Sequence, residues 1–218
     1  ERAEIPNNVN AVEKALDTEG IPGVAIKASA FCPQSVLESG NLDHEDVRSM
    51  INIVKNLCKK AKENGKHIIL DAEARSSRQV EDALVQDLLT TKCKVCLTVQ
   101  STHTDALNTL EEYHRLTQQS NMPLLVKLVK GAYLENGLVT DPSTTSSCFE
   151  ETHARLFELM NYCAQKKIKT IVGSHNSDIL AHAKNHGLGT GNLHGLAVTN
   201  TSMVIGPFGS SELALLWT

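Results

Sequence analysis

No run of apolar residues in this chain approaches the length needed to cross a bilayer. The formal net charge of -4 lacks the basic excess of a general nucleic-acid binder, and that partner class is excluded. Six cysteines in 218 residues are too few for a disulfide scaffold. Cys93 and Cys96 form a C-x-x-C pair, but the second pair that a zinc site wants is absent. A redox pair opens a helix, whereas this one runs into an apparent strand, so the thiols read as reduced and intracellular. His67, His175 and His194 lack ligand spacing, and no metal centre is expected. The G-x-G-x-x-G turn of a doubly wound nucleotide-binding sheet is missing. A nucleophile elbow is missing too, so a Ser/His/Asp triad has no support. Neither a linker nor a sequence repeat divides the chain. Glu1 is preceded by no initiator Met and opens no signal or transit segment, as expected of a mature form or an excised piece.

What is present is ordinary for a soluble globular domain: 41% hydrophobic and 21% charged residues, long enough for one large domain over 1–218. Val9, Val12, Ala15 and Leu16 are at helical spacing within Asn8 to Thr18, and Gly20 and Pro22 stop that helix. Gly23 to Ala30 reads as a strand. A helix starting at Asp43 carries Val47, Met50, Ile51, Val54, Leu57, Cys58 and Ala61 on one face and stops at Gly65. Strands are expected at His67 to Glu73, Val95 to Gln100, Leu124 to Tyr133, Lys169 to Asn176, Asn192 to Val198 and Met203 to Gly209. Helices are expected at Gln79 to Leu89, Asp105 to Gln119, Phe149 to Lys166, Ser177 to His186 and from Ser211 to Trp217. Strands alternating with helices imply parallel βαβ units. Seven of them without the Gly-rich turn favour an α/β (β/α)8 TIM-like barrel. The span is short of the ~250 residues typical of that fold, so the barrel is expected to be incomplete.

Barrel sites lie at the C-terminal ends of the strands. Here those ends hold Lys27, Asp71 with Glu73, Gln100, Lys127 with Lys130, Ser174 to Asn176, and Asn192 with His194. Taken singly, each is more often a satisfied structural group than a catalytic one. Lys127 and Lys130 within an apolar strand have a plain reading as snorkelling side chains. Together, lysines, carboxylates and amides at one rim suit an anionic substrate or a phosphate-bearing cofactor.

Lys127-Leu-Val-Lys-Gly-Ala-Tyr133, followed after one helix by Ser174-His-Asn176, resembles the FAD-dependent proline dehydrogenase family. Ile26-Lys-Ala-Ser29 resembles its first-strand lysine motif and Leu70-Asp-Ala-Glu73 its second-strand motif. Gly191-Asn-Leu-His-Gly-Leu196 and Gly206-Pro-Phe-Gly209 are similar to its later motifs, in the right order from Ile26 onward. The resemblance implies a distorted barrel with FAD at the rim, oxidising L-proline to Δ1-pyrroline-5-carboxylate by hydride transfer to flavin N5. It implies Lys27 facing the substrate carboxylate and Asp71 beside the flavin and Lys27. Gln100, Lys127, Lys130, Gly131, Ala132 and Tyr133 are implied contacts of the flavin and its ribityl-phosphate arm. Thr152, His175 and Asn176 are implied on the pyrophosphate and adenosine side, with Asn192 near the isoalloxazine. The resemblance further implies a membrane quinone as electron acceptor and a peripheral mitochondrial inner-membrane location, with proline or hydroxyproline as substrate.

The sequence departs from that family at several positions. Ile205 stands two positions before Pro207, where the family has a substrate-side tyrosine, and Trp217 stands at a second tyrosine. Leu156 takes the place of a helix tyrosine and Asn192 that of a glutamine. The connection from Leu196 to Val204 is short for a full helix, and Thr218 precedes the expected place of the paired arginines that clamp the substrate. Two alternatives stand beside the dehydrogenase: a catalytically degenerate barrel acting as a binding protein, and a Schiff-base lyase using Lys130 or Lys127.

Overall fold

Short apolar runs bounded by polar residues form most of the parallel strands, and among the described residues every strand but the last is followed by a helix. The computed structural model describes residues 2–90, 95–131 and 145–191. These fall into two compact units, 2–97 and 98–191, with the division inside one strand.

In the first unit, helix α1 (Ile5–Asp17) precedes β1 (Gly23–Ile26), with α2 (Gln34–Ser39) and α3 (Glu45–Glu63) between β1 and β2 (His67–Leu70). Helix α4 (Arg78–Thr90) leads to β3 (Val95–Gln100). β1 pairs with β2 in parallel register, Gly23 opposite His67 and Ile26 opposite Leu70; β2 pairs with β3 from Ile68 opposite Val95 to Leu70 opposite Leu97. The apolar stripe of α3 is buried through Val47, Met50, Val54, Leu57, Cys58 and Ala61, while Ile51, expected on the same face, is half-buried at its edge. Each larger side chain there contributes about 1.5–3 kcal/mol by leaving water. The His44 Nδ1 caps this helix, accepting from the Asp46 N–H at 3.2 Å. Lys66 is buried, and its Nζ donates to the Thr18 carbonyl just past the end of α1.

In the second unit, α5 (Ala106–Gln119) connects the end of β3 to β4 (Leu125–Val129). Helix α6 (Thr145–Lys166) leads to β5 (Lys169–Gly173), and α7 (Ser177–Asn185) to β6 (Gly189–Gly191). β4 pairs with β5 in parallel from Leu125 opposite Lys169 to Val129 opposite Gly173, and β5 with β6 from Ile171 opposite Gly189. Past the end of β3, the Ser101 N–H donates to the Val129 carbonyl (2.9 Å) and the Thr102 N–H to the Lys130 carbonyl (2.8 Å).

The succession is that of an α/β barrel of the (β/α)8 type, incomplete, with six strands among the described residues. Three local expectations differ. Helix α2 was not foreseen; it is six residues long, starts behind Pro33 and stops at Gly40, whose φ of 65° is the left-handed turn glycine permits. The strands are shorter than the apolar runs: β1 ends at Ile26 and β4 at Val129, leaving Lys27 and Lys130 in the following turns. A strand forms at Gly189–Gly191, whereas the expected Asn192 to Val198 strand, the Met203 to Gly209 strand and the last helix lie outside the described residues.

Candidate active site at the strand ends

In the first unit, Lys27 follows β1 with extended backbone (φ −115°, ψ 147°), and the chain then closes a 3-10 turn over Ala28–Ala30. Lys27 is half-buried, and its ammonium has no hydrogen-bond or ion-pair partner among the described residues. Asp71 and Glu73 follow β2 and are 5% and 7% exposed, so both carboxyls are held largely out of water. The Asp71 N–H extends the sheet ladder to the Ile26 carbonyl at 2.9 Å. The Glu73 Oε1 accepts from the Ser29 N–H at 2.8 Å. From α4, the Glu81 Oε1 accepts from the Glu73 N–H at 3.3 Å. Burial, and then the charge of Glu73, push the Glu81 carboxyl up to about 8. Sequence reasoning missed Glu81. The available signal was its spacing: Glu81, Leu84, Val85 and Leu88 share one helical face, and the last three are core residues.

In the second unit, the alternation of β4 places Leu125, Lys127 and Val129 on one face and the fully buried Val126 and Leu128 on the other. Lys127 is therefore a cation inside the protein, 9% exposed. A Cβ at Gly173 on β5 would stand 3.9 Å from the Lys127 Cε and 3.1 Å from the Val129 Cγ1, so glycine there leaves room for both. Lys130 is half-buried, and burial lowers its ammonium pKa. Gly131 has φ +120°, and a Cβ there would press on the Thr102 side chain and lie 2.8 Å from the Gln100 Oε1. Glycine is thus required twice, for conformation and for space. Gln100 and Thr102 are buried, and the Thr102 Oγ1 has no hydrogen-bond partner among the described residues.

Further along, the Ser174 N–H donates to the Gly191 carbonyl at 3.3 Å and the Ser174 Oγ accepts from the Asn176 N–H at 3.1 Å. His175 is exposed. The Asn176 Oδ1 caps α7, accepting from the N–H groups of Asp178 (2.9 Å) and Ile179 (3.1 Å). On α6, Thr152 is 4% exposed with its Oγ1 unpartnered among the described residues. Leu156, one turn on, is fully buried. Arg155, which sequence reasoning did not single out, donates from Nη1 to the Thr104 carbonyl at 2.8 Å and ties α6 to the loop after β3. Ala132, Tyr133, Asn192, Cys93, His194, Ile205 and Trp217 lie outside the described residues. Cys32, Cys58, Cys96 and Cys163 are buried thiols outside any disulfide, and burial pushes those of Cys32 and Cys163 to about 11, which makes them unreactive. Among the described residues no group of three or more metal-ligating side chains exists.

The fold and these strand ends define a barrel chain of the (β/α)8 type that holds lysines, carboxyls and a close-approach glycine where such barrels carry their chemistry. The sequence model described as proline dehydrogenase matches residues 2–204. The chain belongs to the proline dehydrogenase family. It is 28% identical over 191 residues to the carbapenem antibiotics biosynthesis protein CarD of Pectobacterium carotovorum subsp. carotovorum, a match over 80% of this chain and 50% of that protein. Among solved structures, proline utilization A (PutA) from Corynebacterium freiburgense has the same fold at a TM-score of 0.77 and 18% identity, over 90% of this chain and 23% of the other. A mutant of Bradyrhizobium japonicum PutA matches at a TM-score of 0.76 and 18% identity, over 88% of this chain and 22% of the other. The chain thus spans about half the length of CarD and under a quarter of the solved chains.

Proposed function

We propose that this chain is a flavin-dependent proline dehydrogenase domain over 1–218, oxidising L-proline to Δ1-pyrroline-5-carboxylate. Family membership supports the reaction class. The observation that carries the cofactor reading is the end of β4. A buried Lys127, a Lys130 whose charge is penalised by burial and a Gly131 without room for a side chain occur within five residues. Such an arrangement suits a flat, phosphate-bearing ligand that needs both cations and close backbone approach. The unpartnered Oγ1 atoms of Thr102 and Thr152 fit the same reading, because a buried hydroxyl without a partner costs about 1–3 kcal/mol unless a ligand satisfies it.

FAD, when bound, supplies the two-electron acceptor for the hydride that leaves proline. The chain's own residues do the rest. Lys127 and Lys130 neutralise phosphate and favour an electron-rich ring system nearby. Gln100 offers an amide donor and acceptor, and Gly131 leaves room for close backbone approach; Ala132 and Tyr133 belong to the proposal by family resemblance. Thr152, His175 and Asn176 take the pyrophosphate and adenosine side, although the Asn176 Oδ1 is already engaged on α7, which leaves its Nδ2 for a ligand. Asn192 serves the ring. Lys27, with no partner among the described residues, receives the substrate carboxylate, and the buried Asp71 sets the charge balance beside it.

A second reading, a binding protein that keeps the fold without the catalysis, draws on Leu156, fully buried where the family resemblance places a tyrosine. Proline itself is one of several five-membered imino acids the site could take, and CarD carries a name from antibiotic biosynthesis. A membrane quinone as acceptor and a mitochondrial location belong to the proposal on family resemblance alone; the relatives named above are bacterial.

The test is an absorption spectrum of the purified protein after FAD titration, repeated anaerobically with proline, hydroxyproline and related imino acids. Bound flavin that bleaches with one of them is the expected result. Bound flavin that none of them bleaches favours the binding protein. Failure to bind FAD at micromolar concentration overturns both the cofactor reading and the dehydrogenase.

A further inference from the structure

We propose that Glu73 and Glu81 form a carboxyl pair that positions Lys27 through the Ser29 amide, and that the pair makes this positioning pH-dependent. The substrate side of this proposal rests on the reading of Lys27 given above; the pair itself does not.

Strand pairing holds the backbone before Lys27, where the Asp71 N–H donates to the Ile26 carbonyl at 2.9 Å. After Lys27 the chain bends into a single 3-10 turn, closed by the Ala30 N–H on the Lys27 carbonyl (3.1 Å) and the Phe31 N–H on the Ala28 carbonyl (3.0 Å). The first amides of such a turn have no acceptor inside it. The Ser29 N–H finds one in the Glu73 Oε1 at 2.8 Å. Lys27 is therefore bracketed by two hydrogen bonds from the residues that follow β2. The second ends on a carboxyl oxygen, so its strength depends on the charge around that carboxyl.

Glu81 changes that charge. Its Oε1 accepts from the backbone N–H of Glu73, which brings the half-buried Glu81 beside the buried Glu73. The other charged groups acting on Glu81 are Arg78 and Asp82 on its own helix. Gln34 and Ser77, which hydrogen-bond each other at 3.3 Å on the neighbouring turn, are neutral, as is Ser29. From α3, the charged contact with α4 is Lys55 on Asp87 at 2.8 Å, nearly two turns further along. Three carboxyls, those of Glu73, Glu81 and Asp82, face one guanidinium, and Arg78 is itself paired with Asp82 at 3.5 Å; burial and the charge of Glu73 push the Glu81 carboxyl up to about 8. Below that pH, Glu81 is neutral and the Glu73 Oε1 holds the Ser29 N–H. Above it Glu81 gains a charge that the neighbouring Glu73 opposes, and the Ser29 contact weakens. The turn then stops fixing the direction of Lys27. Both residues act through the backbone of Lys27, so they are positioning residues.

The test is NMR of the full chain, with the backbone labelled with 15N and the glutamate side chains with 13C, from pH 6 to 10. In the wild type, one glutamate carboxyl and the Ser29 amide titrate together with a midpoint near 8, and the Lys27 backbone signals follow. In Glu81→Gln the Ser29 and Lys27 titrations vanish and their shifts stay at the low-pH positions. Arg78→Gln moves the wild-type midpoint up and Asp82→Asn moves it down, which decides the matter should Glu81→Gln fail to fold. A Ser29 amide that is flat across this range in the wild type, or that titrates unchanged in Glu81→Gln, overturns the proposal. On the flavin-loaded protein, KM for proline rises roughly tenfold from pH 7 to 9.5 with kcat little changed, the loss of one charge-assisted contact; Glu81→Gln is flat. The amide titration needs no flavin. Absence of turnover in every variant therefore counts against the dehydrogenase and leaves the pair to be decided by the NMR result.

Discussion

Replacing Gly131 by alanine tests the geometry on which the cofactor reading stands. Two costs add. The first is conformational: φ of +120° is a region that side chains rarely adopt, at about 1–3 kcal/mol. The second is steric. The new Cβ overlaps the Thr102 side chain, with its Cγ2 at 3.1 Å, and approaches the Gln100 Oε1 at 2.8 Å; forcing these apart costs about 1–3 kcal/mol. Gln100 ends in a flexible amide and yields, whereas Thr102 is 8% exposed and branched at Cβ, so it carries most of the second cost. The expected loss for Gly131→Ala is about 2–5 kcal/mol in urea unfolding at constant slope. Thr102→Ala separates the two costs. Its Oγ1 has no partner among the described residues, so its removal forfeits no hydrogen bond and costs under about 1 kcal/mol. The double variant should recover about 1–3 kcal/mol of the loss, a coupling that a double-mutant cycle measures directly. Gly131→Ala within about 0.5 kcal/mol of the wild type, or an additive double variant, would refute the reasoning.

Further outcomes follow from the same structure. Glu81→Gln should stabilise the protein at high pH more than at low pH. The folded-state pKa of about 8 lies above the usual glutamate value of about 4.3, so the wild type loses stability as pH rises between the two and Gln does not; urea midpoints at pH 5 and 9 with no difference in the gain would count against it. Asn176→Ala removes the cap of α7 and should cost about 1 kcal/mol, with faster hydrogen exchange at Asp178 and Ile179; unchanged exchange would contradict the cap. Lys167 takes a φ of 56° after α6, and Lys167→Gly should raise stability by about 1 kcal/mol, seen as a higher Tm; a lower Tm would show that the side chain makes a contact worth more than the strain.

The parts of the fold written in the sequence are those whose periodicity is strong over several residues. Val95 to Gln100 was read to the residue, and the stripe of α3 from Val47 to Ala61 gave both the helix and its buried face. Helix α2 was not legible because six residues offer too few repeats of the helical period, and Pro33 and Gly40 mark its ends only once the turn is known. Strand β6, Gly-Thr-Gly, has no apolar pattern; β5 organises it by pairing Gly189 opposite Ile171. At the site, the lysines and carboxyls were legible as polar residues ending apolar runs. Their partners were not. That Glu73 holds Ser29, that Glu81 turns inward to Glu73, and that Gly131 faces Thr102 are facts about residues 8 to 44 positions apart in sequence, fixed only when strands align.

Lys66 offers a chemical window on the first helix. Its amine is buried and donates to the carbonyl that follows α1, so an acylating reagent reaches it only when α1 lifts away from the strands and helices behind it. Most other lysines are more exposed and should be modified early. The ratio of late to early modification, read by mass spectrometry of the resulting peptides, therefore reports how often the amino-terminal helix detaches, with no label introduced into the chain.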